Sequence, residues 1–289
     1  MQIELIDTFL DLCETRSFNR SAERLGITQS TVSGRIRSLE ASLGRPLFLR
    51  SRAGTELTTE GLRFEPHARA LRRSWTEALN ATRDAGPGGV TLRIGIQHDL
   101  VGAHFSDLIR EFRTLLPDAS FLFEADYSQQ MCADLVSGTQ NLALLFSPRL
   151  HPDLYFETLG EIWYDMVSTE AETLTDVREG TYILGNYSPA FAVSHSAQHP
   201  GLGGATLSVG QNAAMVGLLR SLGGSAYVLR DSARELVAEG TARFVADAPA
   251  IPQTVFAGLH LRQRHRTTHR RLVHHLHAHF GTEPPRKRR

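Results

Sequence analysis

Apolar and polar residues alternate along the chain with two periods, helical in the first third and largely strand-like afterwards. Near the N-terminus Leu5, Phe9, Leu12 and Cys13 recur at helical spacing. This spacing predicts a first amphipathic helix with one buried face.

Two shorter helices follow, and the residues at their ends are typical caps. Ser17 is a suitable N-cap for a helix that runs to Leu25, and Gly26 suits the left-handed position after it. Thr28 can cap the next helix. Two helices joined by a few residues that include a glycine predict a helix-turn-helix.

The third helix is amphipathic, with an apolar face and a face of small, polar and basic residues. It covers most of "ITQSTVSGRIRSLE" (residues 27–40) and continues a few residues beyond. On a helical wheel its apolar face contains Val32, Ile36, Leu39 and Leu43. The opposite face is small, polar and basic, and contains Ser30, Ser33, Gly34 and Arg37. Such a face fits the major groove of DNA, and the helix N-terminus offers free N–H groups to phosphate. The alternative is a solvated face of a structural helix.

Residues 47–59, "LFLRSRAGTELTT", predict two short strands around a turn at Ala53 and Gly54, which form a wing after the third helix. Residues 59–85 predict one long helix, in which Pro66 should cause a kink or shift the start. Its apolar stripe contains Leu71, Trp75, Ala78, Leu79 and Thr82. A second copy of the chain is the expected partner of this stripe, and packing on its own domain is the alternative. "AGPGG", residues 85–89, predicts a linker.

From Val90 onward, strands alternate with helices, which predicts parallel sheets with crossover helices. Two sets of these elements predict two α/β lobes. We expect the chain to cross between the lobes near 161–164 and 255–259, and to leave a cleft for a small ligand at the strand ends.

Composition agrees with a folded soluble protein of two domains: the chain has 289 residues, of which 41% are hydrophobic. No apolar run is long enough for a membrane span, and the N-terminus does not resemble a signal peptide. The only cysteines, Cys13 and Cys132, lie far apart, so we expect no disulfide framework and a cytoplasmic location.

Charge is distributed unevenly although the net charge is zero. Residues 20–52 carry seven arginines against two acids, residues 86–257 carry nine arginines against nineteen acids, and residues 258–289 carry nine basic residues against one acid. A polyanion would therefore bind the N-terminal part rather than the long acidic part.

The segments "SAERLGITQSTVS", "IRSLEASLGRPLF" and "LTTEG" fall in order within residues 17–61, and there the chain resembles the winged helix-turn-helix of LysR-type transcriptional regulators. The length, the linker helix and the two-lobed module are similar to that family as well. The forms "TVSGRIRSLE" and "RSRAGTELTTEG" look most like regulators of flagellar genes.

The resemblance implies an α/β multidomain protein. Its parts would be a winged helix-turn-helix (1–58), a dimerisation helix (59–85) and an effector-binding module that resembles periplasmic binding proteins (86–289). Within this module, lobe 1 would comprise about 90–161 and 259–281, lobe 2 about 162–258, and residues 282–289 a basic tail. The implied partners are double-stranded DNA, further copies of the chain in a homodimer or homotetramer, a small-molecule effector and RNA polymerase; no cofactor, resident metal, membrane or enzymatic activity is expected.

The wheel and the resemblance together give the candidate DNA-binding residues, which are Thr28, Gln29, Ser30, Thr31, Ser33, Gly34, Arg35, Arg37, Arg50 and Arg52. The position of Gly34 is commonly arginine in the family. We expect Arg35, beside the exposed face, to replace the missing contact, and we interpret Gly34 as allowing close approach to DNA.

The strand ends supply the candidate effector-binding residues, which are Gln97, His98, Asp99, Leu100, Ser147, Pro148, Tyr187, Ser188, Gly210, Gln211 and Ser225. Family members often have Ser or Thr in the loop after the first strand. The acid and imidazole in "QHDLVG" would favour a cationic or hydrogen-bonding ligand. The alternatives are an ordinary loop pair, a ligand-independent regulator with a vestigial cleft, and a solute-binding or catalytic α/β protein.

The last predicted helix is rich in histidine. His265 with His269 and His275 with His279 have the i, i+4 spacing of metal ligands, but no cysteine or carboxylate cluster accompanies them. We therefore expect a basic helix whose apolar side packs on the module.

Overall fold

The structure, a computed structural model, describes residues 2–51, 54–83 and 90–281. The chain divides into two compact units near residue 85. We call them the N-terminal and the C-terminal unit. The predicted linker at 85–89 and the basic tail at 282–289 lie outside the described residues.

The N-terminal unit contains the predicted three helices, a two-stranded wing and a long helix. They are α1 (Ile3–Thr15), α2 (Phe18–Leu25), α3 (Gln29–Leu43), β1 (Phe48–Ser51), β2 (Gly54–Leu57) and α4 (Thr59–Arg83). The wing strands pair antiparallel, from Phe48 opposite Leu57 to Ser51 opposite Gly54.

The predicted caps of α2 and α3 are confirmed. The hydroxyl of Ser17 accepts a hydrogen bond from the backbone N–H of Arg20 at 3.4 Å. Gly26 ends α2 in the left-handed region with φ 64°. The hydroxyl of Thr28 accepts from the N–H of Thr31 at 3.2 Å. These bonds pair backbone donors that the first helical turns leave free.

Phe9 is the centre of the core of this unit. It is fully buried, and its ring lies 5.3 Å from that of Phe48 in the wing and 5.1 Å from that of Phe64 in α4. Val32, Ile36 and Leu39 are buried as predicted. Leu43 is not: it is the last residue of α3, and 40% of it is exposed.

The "LTTEG" segment joins the wing to α4 through close backbone packing. Thr58 N–H donates to the carbonyl of Leu47 at 2.9 Å, and the Thr58 hydroxyl accepts from the N–H of Gly61 at 2.9 Å. A Cβ on Gly61 would lie 2.2 Å from the Leu47 carbonyl oxygen, so only glycine fits there. The helix begins at Thr59 and contains Pro66, so the predicted shift of its start does not occur.

The C-terminal unit has nine strands and six α-helices among the described residues. The strands are β3 (Val90–Gln97), β4 (Ala119–Asp126), β5 (Leu142–Leu145), β6 (Leu154–Ser168), β7 (Ile183–Gly185), β8 (Leu207–Val209), β9 (Ser225–Leu229), β10 (Arg243–Phe244) and β11 (Ile251–His260). The helices are α5 (His98–Leu115), α6 (Ser128–Ser137), α7 (Pro189–Gln198), α8 (Asn212–Leu222), α9 (Arg230–Ala238) and α10 (Thr267–Phe280).

Both predicted lobes share one sheet of seven strands. Strands β4, β3 and β5 are parallel, as the alternating pattern predicts. The long antiparallel strands β6 and β11 continue from them into the second lobe, where β9 and β10 pair with β6. The register of β6 with β11 shifts between Val255 and Phe256. Within the described part of the C-terminal unit, β7 and β8 form a separate two-stranded parallel sheet.

Two helices differ in how well the sequence predicted them. Helix α10 buries Leu272, Val273, Leu276 and Phe280, as its apolar side predicts. Helix α7 was not predicted, although Ser188 followed by Pro189 is a typical helix start and the Ser188 hydroxyl caps it through the N–H of Phe191. None of the helices in the described residues is both long and apolar enough to span a bilayer.

Candidate nucleic-acid interface and effector cleft

The first turn of α3 presents four consecutive exposed residues, Thr28 to Thr31. The hydroxyl of Thr28 lies 2.8 Å from each of the hydroxyls of Ser30 and Thr31. The turn thus combines exposed hydroxyls and the exposed Gln29 amide with the positive end of a helix dipole. Hydroxyl, amide and backbone N–H groups are the donors that bind phosphates and base edges.

Arg37 lies two turns further along α3 and is exposed. Its Nε–H donates to the carbonyl of Ser33 at 3.3 Å, which holds the guanidinium along the helix surface. The cation therefore lies on the same helix as the exposed first turn.

Two of the candidate DNA-binding residues face inward, contrary to the sequence-based interpretation. Ser33 is buried, and its hydroxyl accepts from the side-chain amide of Gln29 at 3.2 Å. Arg35 is half-buried, and its guanidinium donates to the hydroxyl of Thr8 in α1 at 3.2 Å. Helices α1 and α2 both pack against α3 and cover a wider arc than its apolar stripe. The Arg35 guanidinium therefore lies against α1 rather than on the exposed face beside Gly34.

Gly34 lies in the interior of α3 beside open space. A Cβ built on it meets no atom within 4 Å, and its φ is not positive. No contact or backbone strain within the described residues therefore requires glycine at this position.

We expect Gly34→Ala to stabilise the N-terminal unit by about 0.5–1 kcal/mol, because alanine favours a helix interior over glycine. Gly61→Ala is the matched control, since it adds the same methyl group to α4 of this unit. There the methyl group meets the Leu47 carbonyl, and we expect a loss of about 1–3 kcal/mol. Urea unfolding of both variants measures the difference, and destabilisation by Gly34→Ala would contradict the open environment of Gly34.

The wing carries the remaining candidate DNA-binding residues. Glu40 joins α3 to it, because one carboxylate oxygen accepts from the N–H groups of Leu47 and Phe48 at 2.8 and 3.3 Å. Arg50 lies in β1, but its side chain is outside the described part, and Arg52 is outside it altogether.

The second half of α4 exposes an apolar face. Leu71 and Ala78 are exposed, and 48% of Trp75 is exposed, whereas Leu79 is half-buried. Large apolar side chains of this kind in a row are typical of an interaction surface.

In the C-terminal unit, the cleft residues predicted in the first lobe lie around the carboxyl ends of β3 and β5. The buried Gln97 accepts through Oε1 from the hydroxyl of Ser128 at 3.1 Å. The same hydroxyl accepts from the N–H groups of Phe146 and Ser147, each at 3.1 Å. Ser128 is not among the residues predicted from the sequence, although it is a polar residue two positions after the end of β4, at the carboxyl edge of the sheet.

Asp99 is buried and bonded on both carboxylate oxygens. Oδ2 accepts from the hydroxyl of Tyr164 at 2.7 Å, and Oδ1 accepts from the backbone N–H of Asn212 at 2.8 Å. Burial raises the pKa of Asp99, whereas the bonds from Asn212 and Tyr164 and the charge of His98 lower it. Asp99 therefore joins elements of both lobes and is not an open ligand group.

Three more candidates are buried and are not open to a ligand either. Tyr187 stacks on Tyr164 with 4.5 Å between ring centroids. Ser188 caps α7 and also donates to Oε1 of Gln253. Leu100 is fully buried in the core.

Ser225 lies at the wrong end of its strand. It pairs with Ser168, four residues along β6 from Tyr164, and its hydroxyl lies 2.8 Å from that of Ser168. Because β9 runs antiparallel to β6, the end of β9 at Leu229, rather than its start, pairs with Tyr164 beside Asp99.

The accessible candidates form a rim around Tyr127. The ring of the half-buried His98 lies 4.9 Å from the Tyr127 ring. The exposed Gln211 reaches the Tyr127 hydroxyl at 3.5 Å, and a Cβ on Gly210 would approach that hydroxyl to 3.3 Å. Ser147 and Pro148 are half-buried. Tyr127 was missed because it follows β4 rather than β3 or β5.

Comparisons with known proteins agree with both units. Residues 3–62 match the family described as "Bacterial regulatory helix-turn-helix protein, lysR family". Residues 85–281 match the "LysR substrate binding domain". The second match covers more than half of the chain.

Individual relatives are similar over different lengths. HTH-type transcriptional regulator HdfR of Salmonella typhimurium is 49% identical over 78 residues, which cover 27% of this chain and only 28% of that relative. This partial match is consistent with the finer resemblance within the family.

Full-length solved structures share the fold at low identity. LysG of Corynebacterium glutamicum with bound effector Arg is 17% identical, with a TM-score of 0.56 over 96% of this chain and 97% of that one. ArgP of Mycobacterium tuberculosis is 20% identical, with a TM-score of 0.56 over the same shares. BenM is 18% identical, with a TM-score of 0.54 over 99% of this chain and all of that one. Both units and their family matches therefore show that the chain belongs to the lysR family of bacterial regulatory helix-turn-helix proteins.

Proposed function

We propose that the chain is a sequence-specific DNA-binding transcriptional regulator that acts in the cytoplasm and has no catalytic activity of its own. The observation that supports this most directly is the exposed first turn of α3, Thr28 to Thr31, with Arg37 on the same helix. Membership of a regulatory helix-turn-helix family supports it as well.

In this proposal α3 enters the major groove. The hydroxyls and amide of its first turn contact base edges or phosphates, and the Arg37 guanidinium binds a guanine edge or a phosphate. Gly34 leaves space on the helix, so that the neighbouring backbone can approach DNA without a side chain between them.

Arg37→Ala should weaken binding to DNA selected by this protein from a random-sequence pool by about 10-fold or more, since a lost bidentate contact costs about 1–3 kcal/mol. Arg63→Ala is the matched control: it removes the same charge from an exposed position in α4 of the same unit, and we expect little change. Gel-shift titrations at one fixed salt concentration measure both. Equal affinity of the Arg37 variant and the parent would contradict the role of α3.

We propose further that the apolar face of α4 pairs with the same face of a second copy. Two copies would place two α3 helices on DNA half-sites separated by one or more helical turns. Two such pairs would form a tetramer, and contact with RNA polymerase would follow where the protein activates transcription.

The C-terminal unit would bind a small effector at the rim formed by His98, Tyr127, Gly210 and Gln211. LysG, which shares the fold, was solved with its effector Arg bound, and this supports a small-molecule site in a module of this kind. The second candidate is a regulator that needs no effector. It is favoured by one observation, which is that the groups lining the interior of the cleft already bond to one another.

A further inference from the structure

The carboxylate of Asp99 meets two donors from distant parts of the chain. Asp99 lies in the first turn of α5 and is 5% exposed. Its donors are the Asn212 N–H and the Tyr164 hydroxyl, 113 and 65 residues away in sequence. Asp99 belongs to the first lobe and both donors belong to the second.

The first donor is the start of helix α8. Gln211, its N-cap residue, makes no side-chain capping bond, and Asp99 accepts from the N–H of Asn212, the first helical residue. The Asn212 side chain is held in position by bonds to Ser232 and to the N–H of Leu229, at 2.9 and 2.8 Å. The start of an eleven-residue helix favours an anion at this position.

The second donor is equally well held. Tyr164 is fully buried, and its ring stacks on Tyr187 with an interplanar angle of 7°. The Tyr187 hydroxyl donates to the carbonyl of Tyr227 at 2.6 Å, so the stack is bonded at both ends. Burial raises the pKa of Tyr164 well above its usual value, so its hydroxyl keeps its proton and remains a donor.

We propose that the second lobe forms a carboxylate-binding position from the α8 N-terminus and Tyr164, and that Asp99 fills it from the first lobe. The lobes are thereby held together without a bound acid, and a small carboxylic acid has no access to this position. This inference deepens the proposed function, because it concerns regulation of the same cleft.

The proposal is tested by removing the Asp99 carboxylate and supplying formate, a free carboxylate, in its place. Asp99→Ala leaves a gap of the size of formate between Asn212 and Tyr164. We expect its melting temperature to fall by about 5 °C, the effect of losing bonds from buried donors to a charged acceptor. Formate on the order of 0.1 M should restore at least half of this loss, whereas chloride at equal ionic strength should not.

Asp99→Asn is the matched control, because it fills the gap with a neutral group of the same shape. Formate should shift neither this variant nor the parent beyond the chloride effect. Hydrogen exchange of the segment that contains Asn212 should rise in Asp99→Ala and fall again with formate. If Asp99→Ala does not fold on expression, refolding with formate and with chloride gives the same comparison.

Two results would overturn the proposal: an Asp99→Ala variant as stable as the parent, or equal effects of formate and chloride on it. Both measurements are made without DNA on the full chain. Failure here therefore leaves DNA binding by α3 untouched, and failure of DNA binding leaves this inference untouched.

Discussion

Replacing Trp75 with glutamate is expected to convert the protein to monomers and to lower its affinity for paired DNA half-sites about 100-fold. About half of this side chain is exposed on α4, beside the exposed Leu71 and Ala78. A carboxylate placed there would have to be desolvated between two copies, which costs several kcal/mol. Sedimentation velocity measures the loss of the dimer, and titration with selected DNA measures the loss of affinity.

Leu62→Glu is the matched control for Trp75→Glu. Leu62 is 60% exposed and lies on the other side of the same helix, so the substitution introduces the same charge outside the proposed interface. We expect this variant to remain dimeric and to bind DNA like the parent. Dimers in both variants, or monomers in both, would contradict the assignment of the α4 face.

Acidification from pH 7 to 5 is expected to destabilise the C-terminal unit by several kcal/mol. Burial lowers the pKa of His104, His195 and His269 to about 4 in each case, assisted by His279, His199 and Arg266 respectively. In the unfolded chain their pKa returns to about 6.5. The three histidines therefore do not lower the free energy of unfolding above pH 6.5, where they are neutral in both states. As the pH falls from 6.5 towards 4, the free energy of unfolding decreases, because only the unfolded chain takes up the protons.

Each of these histidines contributes about 1–2 kcal/mol to the difference between pH 7 and 5. Buried Asp99 offsets a part of this loss of stability. Because its pKa is raised, the folded chain takes up the carboxyl proton at a higher pH than the unfolded chain does. In a Trp75→Phe background Trp163 is the only tryptophan, so its fluorescence during urea unfolding reports on this unit.

A double variant isolates one histidine. His195 Nε2 lies 2.7 Å from the Tyr182 hydroxyl, and Tyr182→Phe with His195→Phe removes both polar groups together. The loss of stability between pH 7 and 5 should then shrink by about 1–2 kcal/mol. An unchanged pH dependence of the double variant would show that His195 does not titrate as inferred.

Features that depend on neighbouring residues were predicted well from the sequence. Ser17, Gly26 and Thr28 cap their helices because a cap requires only the local backbone and one side chain. The alternation of strands and helices after Val90 predicted the parallel strands, because a helix between two strands is the usual crossover connection in a parallel sheet.

Features that depend on distant residues could not be predicted. The wheel places Ser33 on the exposed face, and only the packing of α1 and α2 shows that it is buried. Arg35 bonds to Thr8, 27 residues earlier, and Asp99 to Asn212, 113 residues later. Sequence position therefore identified strand-end residues, but not which of them already bond to one another.

In the proposed complex, the first turns of two α3 helices, one from each copy, lie in the DNA groove at once. An iron chelate attached at Ser30→Cys, in a chain whose Cys13 and Cys132 are replaced by serine, cleaves the DNA nearest to it. On DNA selected by the protein, we expect two sites of cleavage separated by a whole number of helical turns of about 10 base pairs. The same reagent at Arg63→Cys should give no such pair. Cleavage scattered along the DNA from position 30, or an identical pattern from both positions, would contradict the placement of two α3 helices in the groove.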